Sequence, residues 1–531
     1  MGTVFAPPDG TPSGDRSRSS SPDLNAAHVS SSEPSGARSA PPRSAPAGSA
    51  AVAERAVLNT LYRSGGEILG RLASLVLFAE AGRTLGQSGL GAFVFAVAYL
   101  GFVSVGIDIG LDRWLLRTGA RDHTASDRLF FTVLSLKTTL AVPLFLVGFV
   151  VLHELGYHHH IEATVWALAP GVFFDSVART QLATFLAHER GGPPALADTI
   201  QRIISAALGI AALKAGFGVV AVAVSYSAGS FAGVIIGFLL MAKTLGMPTV
   251  TVSARRWRRM AAQSVPFATQ DTFSALLGRV DALLLAVIAT QAAVGRYGAA
   301  YRMFESTLLI TYALGGAFAA MFTYLGANTD PPLAAMFQRA IKLSLVLLTP
   351  IAIAFTLRAG SICRLIYGPG FVSAGVPLRI LGPAVILMGL VTLTNSLMIS
   401  RDNPKRMVSL TAVMAVVNVS LNAILIPLYN DAGAASAMLI TEIVYAAWIL
   451  RMGSREVGGI HWLATAAGAT AAGGTMIAVT LALDNSLLTA LALGGAAYAI
   501  VLIVTERLVS PLDVKFAADM ARRRLLSRSP G

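Results

Sequence analysis

The sequence predicts an all-α, polytopic membrane protein with about 14 transmembrane helices. Three observations lead there. The 531-residue chain is 54% apolar and only 13% charged, and a soluble protein carries about twice that charged fraction. Apolar stretches of about 20 residues recur from residue 57 to residue 505. None of them alternates with the period of a membrane-spanning strand, which excludes a β-barrel. A soluble helical protein hides a few such helices in its core, not a whole chain of them.

The expected spans are 57–81, 88–110, 129–152, 162–186, 195–213, 217–242, 264–289, 294–323, 333–357, 376–399, 406–428, 432–450, 459–482 and 487–506. Lys and Arg collect in every second connection. Arg113, Arg117, Arg121 and Arg128 follow the second span, and Lys243, Arg255, Arg256, Arg258 and Arg259 follow the sixth. Arg401, Lys405 and Arg406 follow the tenth span, Arg451 and Arg455 the twelfth, and Arg522, Arg523 and Arg524 lie in the tail. The intervening "HELGYHHH" (153–160), "YND" (429–431) and "DNS" (484–486) have neither. Positive loops stay in the cytoplasm, so both termini are expected there. The net charge of +13 is therefore topogenic and requires no nucleic acid partner.

This reading divides the chain into a disordered cytoplasmic tail (1–53), an N-lobe of spans one to six (54–243) and a basic linker (244–263). A C-lobe of spans seven to twelve (264–452), two further spans (453–508) and a basic amphipathic tail (509–531) follow. The first segment is rich in Ser, Pro, Ala and Gly, too poor in large apolar side chains to offset its ordering entropy, and it lacks the pattern of a cleaved signal. "LRAGSICRLIYGPGF" (357–371) reads as a short amphipathic helix in the interface, ended by Gly368-Pro369-Gly370. "VKFAADMARRRLLSR" (514–528) reads similarly on the inner face.

The two lobes look like copies. "EILGRLASLVLFAEA" (67–81) aligns with "ALLGRVDALLLAVIA" (275–289), and this pairs Arg71 with Arg279. Both copies start on the cytoplasmic side, so the repeat is parallel, about a pseudo-twofold axis along the membrane normal.

Charges inside the spans carry the functional reading. Arg63, Glu67 and Arg71 recur at four-residue spacing, Asp175 and Arg179 are i, i+4, as are Asp198 and Arg202, and Arg302 and Glu305 are i, i+3. Arg279 and Asp281 are two apart and point in different directions. A charge at a helix centre costs roughly 2.5–3.5 kcal/mol on insertion scales, so these groups must pair or line a wet cavity between the lobes. Arginine is in excess over carboxylate in this set, and guanidinium forks onto phosphate oxygens with paired hydrogen bonds. Arg63, Arg71, Arg279 and Arg302 are the candidate substrate contacts; Glu67, Asp175, Arg179, Asp281 and Glu305 are candidate charge partners or coupling sites. Asn418 and Asn422 read as helix glue, and Glu442 as a packing contact or a proton or cation site. His158, His159 and His160 are consecutive and would splay apart on a helix, so no metal is expected. Cys363 stands alone and forms no intrachain disulfide. No phosphate loop, nucleophile elbow or hydrolytic triad occurs, which argues against an enzyme.

"RVDALLLAVIATQAAVGRYGAAYRMFE" (279–305) and the stretch 362–442, with "RLIYGPGF" and "NVSLNAILIP", resemble the Wzx-type polysaccharide and O-antigen flippases of the multidrug/oligosaccharidyl-lipid/polysaccharide exporter superfamily. The chain departs from that pattern at Asp402-Asn403, where a glycine is usual. The resemblance implies two six-helix lobes in a V with two added helices, in a bacterial cytoplasmic membrane. It implies alternating access that moves an anionic, undecaprenyl-pyrophosphate-linked oligosaccharide to the outer leaflet, driven by H+ or Na+ and without a bound cofactor. Membrane lipids, a polysaccharide polymerase and glycosyltransferases are the implied partners. The alternatives are a peptidoglycan lipid flippase, a cation-coupled multidrug exporter of the same superfamily and a non-transporting scaffold for glycosyltransferases.

Overall fold

A computed structural model describes residues 47–157, 159–326, 331–401, 404–483 and 486–509; within these helices the side chains of 47–65, 67, 320, 323–326, 331–332, 404–405 and 508–509 lie outside the description. The chain separates into two compact units, Met1–Ala53 and Glu54–Gly531. In the first, only residues 47–53 are described, as helix. The tail 514–528 and Asp402-Asn403 lie outside the described residues.

The described chain is helical throughout, in fifteen α-helices and one 3-10 turn. They are α1 (Ala47–Asp108), α2 (Leu111–Gly119), α3 (His123–Glu154), α4 (His159–Ala187), α5 (Gly192–Lys214), α6 (Val219–Thr244), α7 (Ala254–Ile288) and α8 (Gln291–Ser306). Then come α9 (Leu308–Gly326), α10 (Pro331–Leu357), α11 (Ala359–Tyr367), η1 (Pro369–Ala374), α12 (Gly375–Ser400), α13 (Pro404–Glu456), α14 (Trp462–Ala482) and α15 (Leu487–Val509). Two of them are broken pairs. α1 kinks at Gly86 (φ 67°) and α13 at Asn430 (φ 49°), in the gaps expected between spans one and two and between eleven and twelve. Span eight is instead split at Thr307 into α8 and α9. With these allowances the fourteen spans are all present, and the protein is a multi-pass membrane protein.

Ten helical segments are long and apolar enough to cross a bilayer among the described residues, and α7 and α8 are not in that group. Their sequences carry Arg279, Asp281, Arg296, Arg302 and Glu305. Around the bundle, Val147 and Val150 of α3, Leu239 of α6, Val287 of α7, Leu428 of α13 and Ile500 of α15 are exposed. Such a belt of large apolar side chains suits acyl chains rather than water.

The helices pack as two groups. In the first, α4 and α5 lie on α6, and α2 and α3 lie on α4. In the second, α12 packs on α8, α9, α10 and α13, and α7 packs on α13. α14 and α15 pair with each other and join the second group through α10. Polar ties fix that junction. Arg358 donates to the Thr480 carbonyl (2.7 Å) and the Leu483 carbonyl at the end of α14, and Lys342 of α10 forms an ion pair with Glu506 of α15.

The groups meet tightly at one end. There the second arm of α1 crosses α8 through glycine. A Cβ on Gly91 would collide with the Gln291 carbonyl and lie 3.0 Å from the Gly295 nitrogen. A Cβ on Gly295 would collide with the Gln87 carbonyl and lie 3.1 Å from the Gly91 nitrogen. Small residues allow such close backbone approach between membrane helices. Side chains reinforce the contact. Arg296 grips Asp431 with two hydrogen bonds (3.0 and 2.6 Å) and reaches Gln87 at 3.2 Å. Arg83 donates to the Ile366 carbonyl (2.8 Å) and the Leu365 carbonyl (2.6 Å), at the C-terminal end of α11. That helix is the amphipathic segment expected at 357–371. It stops at Gly368, whose φ of 94° favours glycine.

The opposite end is tied as well: a Cβ on Gly110 would collide with the Ala268 nitrogen of α7, and Met260 of α7 is buried with Leu111 and Leu115 of α2. Arg113 of α2 pairs with Asp271 of α7 at 2.9 Å, and the Trp114 indole donates to Gln263 at 3.1 Å.

Two outcomes are expected. Gly295→Ala should destabilise the protein by about 1–3 kcal/mol through overpacking, read as a lower Tm in detergent, whereas Gly316→Ala, where a Cβ meets open space, should not. Cys363 is buried, and burial pushes its thiol up to about 12. A maleimide at neutral pH should therefore label it only after denaturation, because the thiolate is the reactive form.

Candidate functional site

A cavity of about 620 Å³ lies between the two groups of helices. Ser74, Leu77, Phe78, Phe93 and Val97 of α1 line one wall, with the second half of α4, the first half of α5 and Tyr226, Gly233 and Gly237 of α6. Gly278 to Ala282 of α7 and Tyr297 to Glu305 of α8 line the other. At one end it reaches Gly191 and Pro194, at the start of α5. At the other end the lining stops at Phe93, Val94 and Tyr297, within one turn of the Gly91–Gly295 crossing. The chamber is therefore shut on the side of the Gly86 turn and extends toward the side of the basic connections.

Four arginines and four carboxylates line it: Arg179, Arg202, Arg279 and Arg302 with Asp175, Asp198, Asp281 and Glu305. Most are engaged. Arg202 donates to Asp198 at 2.9 Å, and Arg302 to Glu305 at 2.8 Å, as the helical spacings predict. The Arg302 guanidinium also lies 4.6 Å from the centre of the Phe78 ring on α1, a cation–π contact across the chamber. Arg179 is engaged not by Asp175 but by Asp108, at 2.6 Å.

Asp108 belongs to a buried network that the spacing rules miss. Lys137 of α3 is fully buried and lies 2.9 Å from Asp108 and 2.7 Å from Asp112. Its ammonium also donates to the Ser176 carbonyl at 3.2 Å, while Thr180 donates to Asp112 at 2.9 Å. Two cations and two carboxylates thus balance in one cluster, with Arg179 at its cavity edge. The sequence did contain a signal, a lone Lys inside the apolar run 129–152.

Asp175 and Asp281 are held by neutral donors. Asp175 accepts from the Gln201 amide at 2.8 Å and the Tyr226 hydroxyl at 2.6 Å. Asp281 is buried, accepts the Tyr297 hydroxyl on one oxygen, and accepts the Ala282 N–H at 2.8 Å on the other. It faces away from Arg279, as the two-residue spacing predicts. Arg279 is exposed in the chamber and makes no hydrogen bond or ion pair among the described residues.

Of the four candidate substrate contacts, the structure brings Arg279 and Arg302 together in one cavity. Arg71 is half-buried on α1, outside the lining. The side chains of Arg63 and Glu67 lie outside the described residues. The excess of arginine expected from the sequence is not found in the lining, where the two signs are equal in number. The internal repeat aligns Arg71 with Arg279 in sequence; it does not show which helix face meets the cavity.

Asn418 and Asn422 glue helices as expected. Asn422 donates to the Asn418 carbonyl (2.9 Å) and side-chain oxygen (3.1 Å), and Asn418 donates to Thr441 at 3.2 Å, which glues the two arms of α13 together. Glu442 is buried beside them, with one carboxyl oxygen lacking a hydrogen-bond partner. His159 stands 3.7 Å from Glu162, His158 lies outside the described residues, and no cluster of three metal-type ligands occurs among the described residues.

Lys137→Met should leave Asp108 and Asp112 without their shared buried cation. Breaking a buried ion cluster this way costs about 3–5 kcal/mol, so folded yield and Tm should fall sharply.

Comparison with known proteins agrees with this geometry. Residues 56–322 match the family described as polysaccharide biosynthesis protein. A probable low-salt glycan biosynthesis flippase of Haloferax volcanii is 24% identical over 387 residues, covering 72% of this chain and 79% of that protein. Among solved structures, the lipid II flippase MurJ in an inward closed conformation aligns with a TM-score of 0.69 at 15% identity, covering 85% of this chain and 99% of its own. An inward-facing multidrug resistance transporter of the MATE family, in the MOP superfamily, aligns with a TM-score of 0.58 at 16% identity, over 73% of this chain and 94% of its own. A MOP-superfamily transporter from Pyrococcus furiosus, whose binding pocket is described as having reverse polarity, aligns at 0.54 and 16% identity, over 75% and 95%.

Proposed function

We propose that this chain, which belongs to the polysaccharide biosynthesis protein family, is a flippase that moves a lipid-linked glycan with an anionic pyrophosphate anchor between membrane leaflets. The observation that carries the proposal is Arg279: a guanidinium on α7, in a chamber between two helical groups, with no counterion among the described residues. An uncompensated cation in a protein interior is costly. Water in the chamber screens it, and an anionic ligand neutralises it. Arg302, on the next helix, is a second contact, because its single bond to Glu305 leaves further N–H groups for a phosphate oxygen.

Both termini lie in the cytoplasm by the distribution of Lys and Arg, so the end of the chamber at Gly191 and Pro194 is its cytoplasmic mouth. A polyprenyl-pyrophosphate oligosaccharide enters there from the inner leaflet. Its head group binds Arg279 and Arg302, its sugars lie against Phe78, Tyr226 and Tyr301, and its polyprenyl tail stays in lipid. The Gly91–Gly295 crossing then separates and the mouth closes, so the head group faces the outer leaflet of the cytoplasmic membrane. Asp175, Asp281 and Glu305 are the carboxylates available to couple this rocking to H+ or Na+. Glycosyltransferases that build the glycan and a polymerase that consumes it are the partners such a step requires. The Haloferax relative, named as a glycan biosynthesis flippase, supports the same reading.

The test uses the full chain in proteoliposomes with a fluorescent polyprenyl-pyrophosphate-linked oligosaccharide, and measures loss of signal to a membrane-impermeant quencher. Wild type should move the probe. Arg279→Ala and Arg302→Ala should each slow the movement roughly tenfold or more, the worth of one charge-assisted contact. Transport of a cationic dye instead, or undiminished flipping by both variants, would overturn the assignment.

A further inference from the structure

Arg279 has no counterion among the described residues, yet its guanidinium is not loose in the chamber. It lies against the opposite helix. A Cβ built on Gly101, in the second arm of α1, would collide with the Arg279 Nη1, stand 2.9 Å from Cζ and stand 3.3 Å from Cδ. Gly101 is buried and helical, so a positive φ does not explain the glycine. Its missing side chain is a notch, and the arginine of the other helical group fills it.

We infer that Gly101 is a positioning residue: its notch seats the Arg279 guanidinium by shape rather than by charge, and so holds an uncompensated cation ready for a phosphate. A carboxylate in the same place would fix the arginine equally well but would compete with an anionic ligand. The neighbouring carboxylate, Asp281, is turned onto Tyr297 instead. The same seat joins α7 to α1 across the chamber, so ligand capture by Arg279 acts on both helical groups at once. This inference rests on the flippase reading for its ligand, but not for its geometry.

The atom that a new Cβ displaces is the tip of a flexible side chain, so Gly101→Ala moves the guanidinium while the backbone stays. Two measurements on the full chain separate the notch from the ligand. The first uses farnesyl pyrophosphate as a soluble pyrophosphate probe in a double-mutant cycle. Gly101→Ala and Arg279→Ala should each weaken binding roughly tenfold, and the double variant should be no weaker than Arg279→Ala alone, all with unchanged Tm. Additive losses would show that Gly101 acts through helix packing and would overturn the inference. The second needs no ligand. Cysteines at 101 and 279 in a Cys363→Ser background should be bridged by a short bifunctional thiosulfonate; no bridge would overturn the geometry outright. If wild type fails to bind the probe but the bridge forms, the anion reading of the site falls and the notch remains.

Discussion

A charge in hydrocarbon needs either a partner or water, and this single constraint arranges the whole molecule. Lys137, Arg179, Asp108 and Asp112 satisfy it by pairing in one buried cluster. Arg296 satisfies it with Asp431, and Lys342 with Glu506. Arg279 satisfies it in the other way, by facing a chamber. The chamber follows from the charges as much as the charges follow from it, because helices that carry Arg279, Asp281, Arg302 and Glu305 cannot turn those faces to acyl chains.

The two ends of the chamber are built differently. The shut end relies on backbone proximity, glycine against glycine, with Arg83, Gln87 and Arg296 spanning the contact. Phe93, Tyr297, Tyr367 and Phe371 are buried in one apolar core beside it, and its hydrogen bonds end on carbonyls and amides. The other end joins α2 to α7 through the close approach of Gly110 to Ala268, the buried Met260 with Leu111 and Leu115, and the half-exposed Arg113–Asp271 ion pair, itself worth about 1 kcal/mol or less. α14 and α15 are fastened to α10 and α11 by ion pair and carbonyl bonds, so they move with the second group of helices.

Much of this was legible in the sequence. Hydropathy located the spans, and the breaks at Gly86 and Asn430 fall where short polar gaps interrupt apolar runs. The i, i+3 and i, i+4 rules found Arg302–Glu305 and Arg202–Asp198, since those pairs are local. They misassigned Arg179, whose partner Asp108 is 71 residues away, and they were blind to Lys137 with its two carboxylates. The internal repeat matched Arg71 with Arg279, because similarity aligns helices but not the faces they present. The notch at Gly101 had no signal of its own: one glycine in a membrane helix looks like any other until its neighbour across the chamber is known.

The central claim is that the arginine-bearing faces of α4, α7 and α8 meet a hydrated chamber while the outer faces meet lipid. Thiol accessibility in membranes tests it most directly. In a Cys363→Ser background, single cysteines at Ala178 and Ala282, which line the cavity, should react with a small hydrophilic methanethiosulfonate, and cysteines at Leu239 and Val287, exposed on the outer surface at 65% and 63%, should not. Labelling of the outer positions with silence at 178 and 282 would show that no aqueous chamber exists, and the account would fail with it.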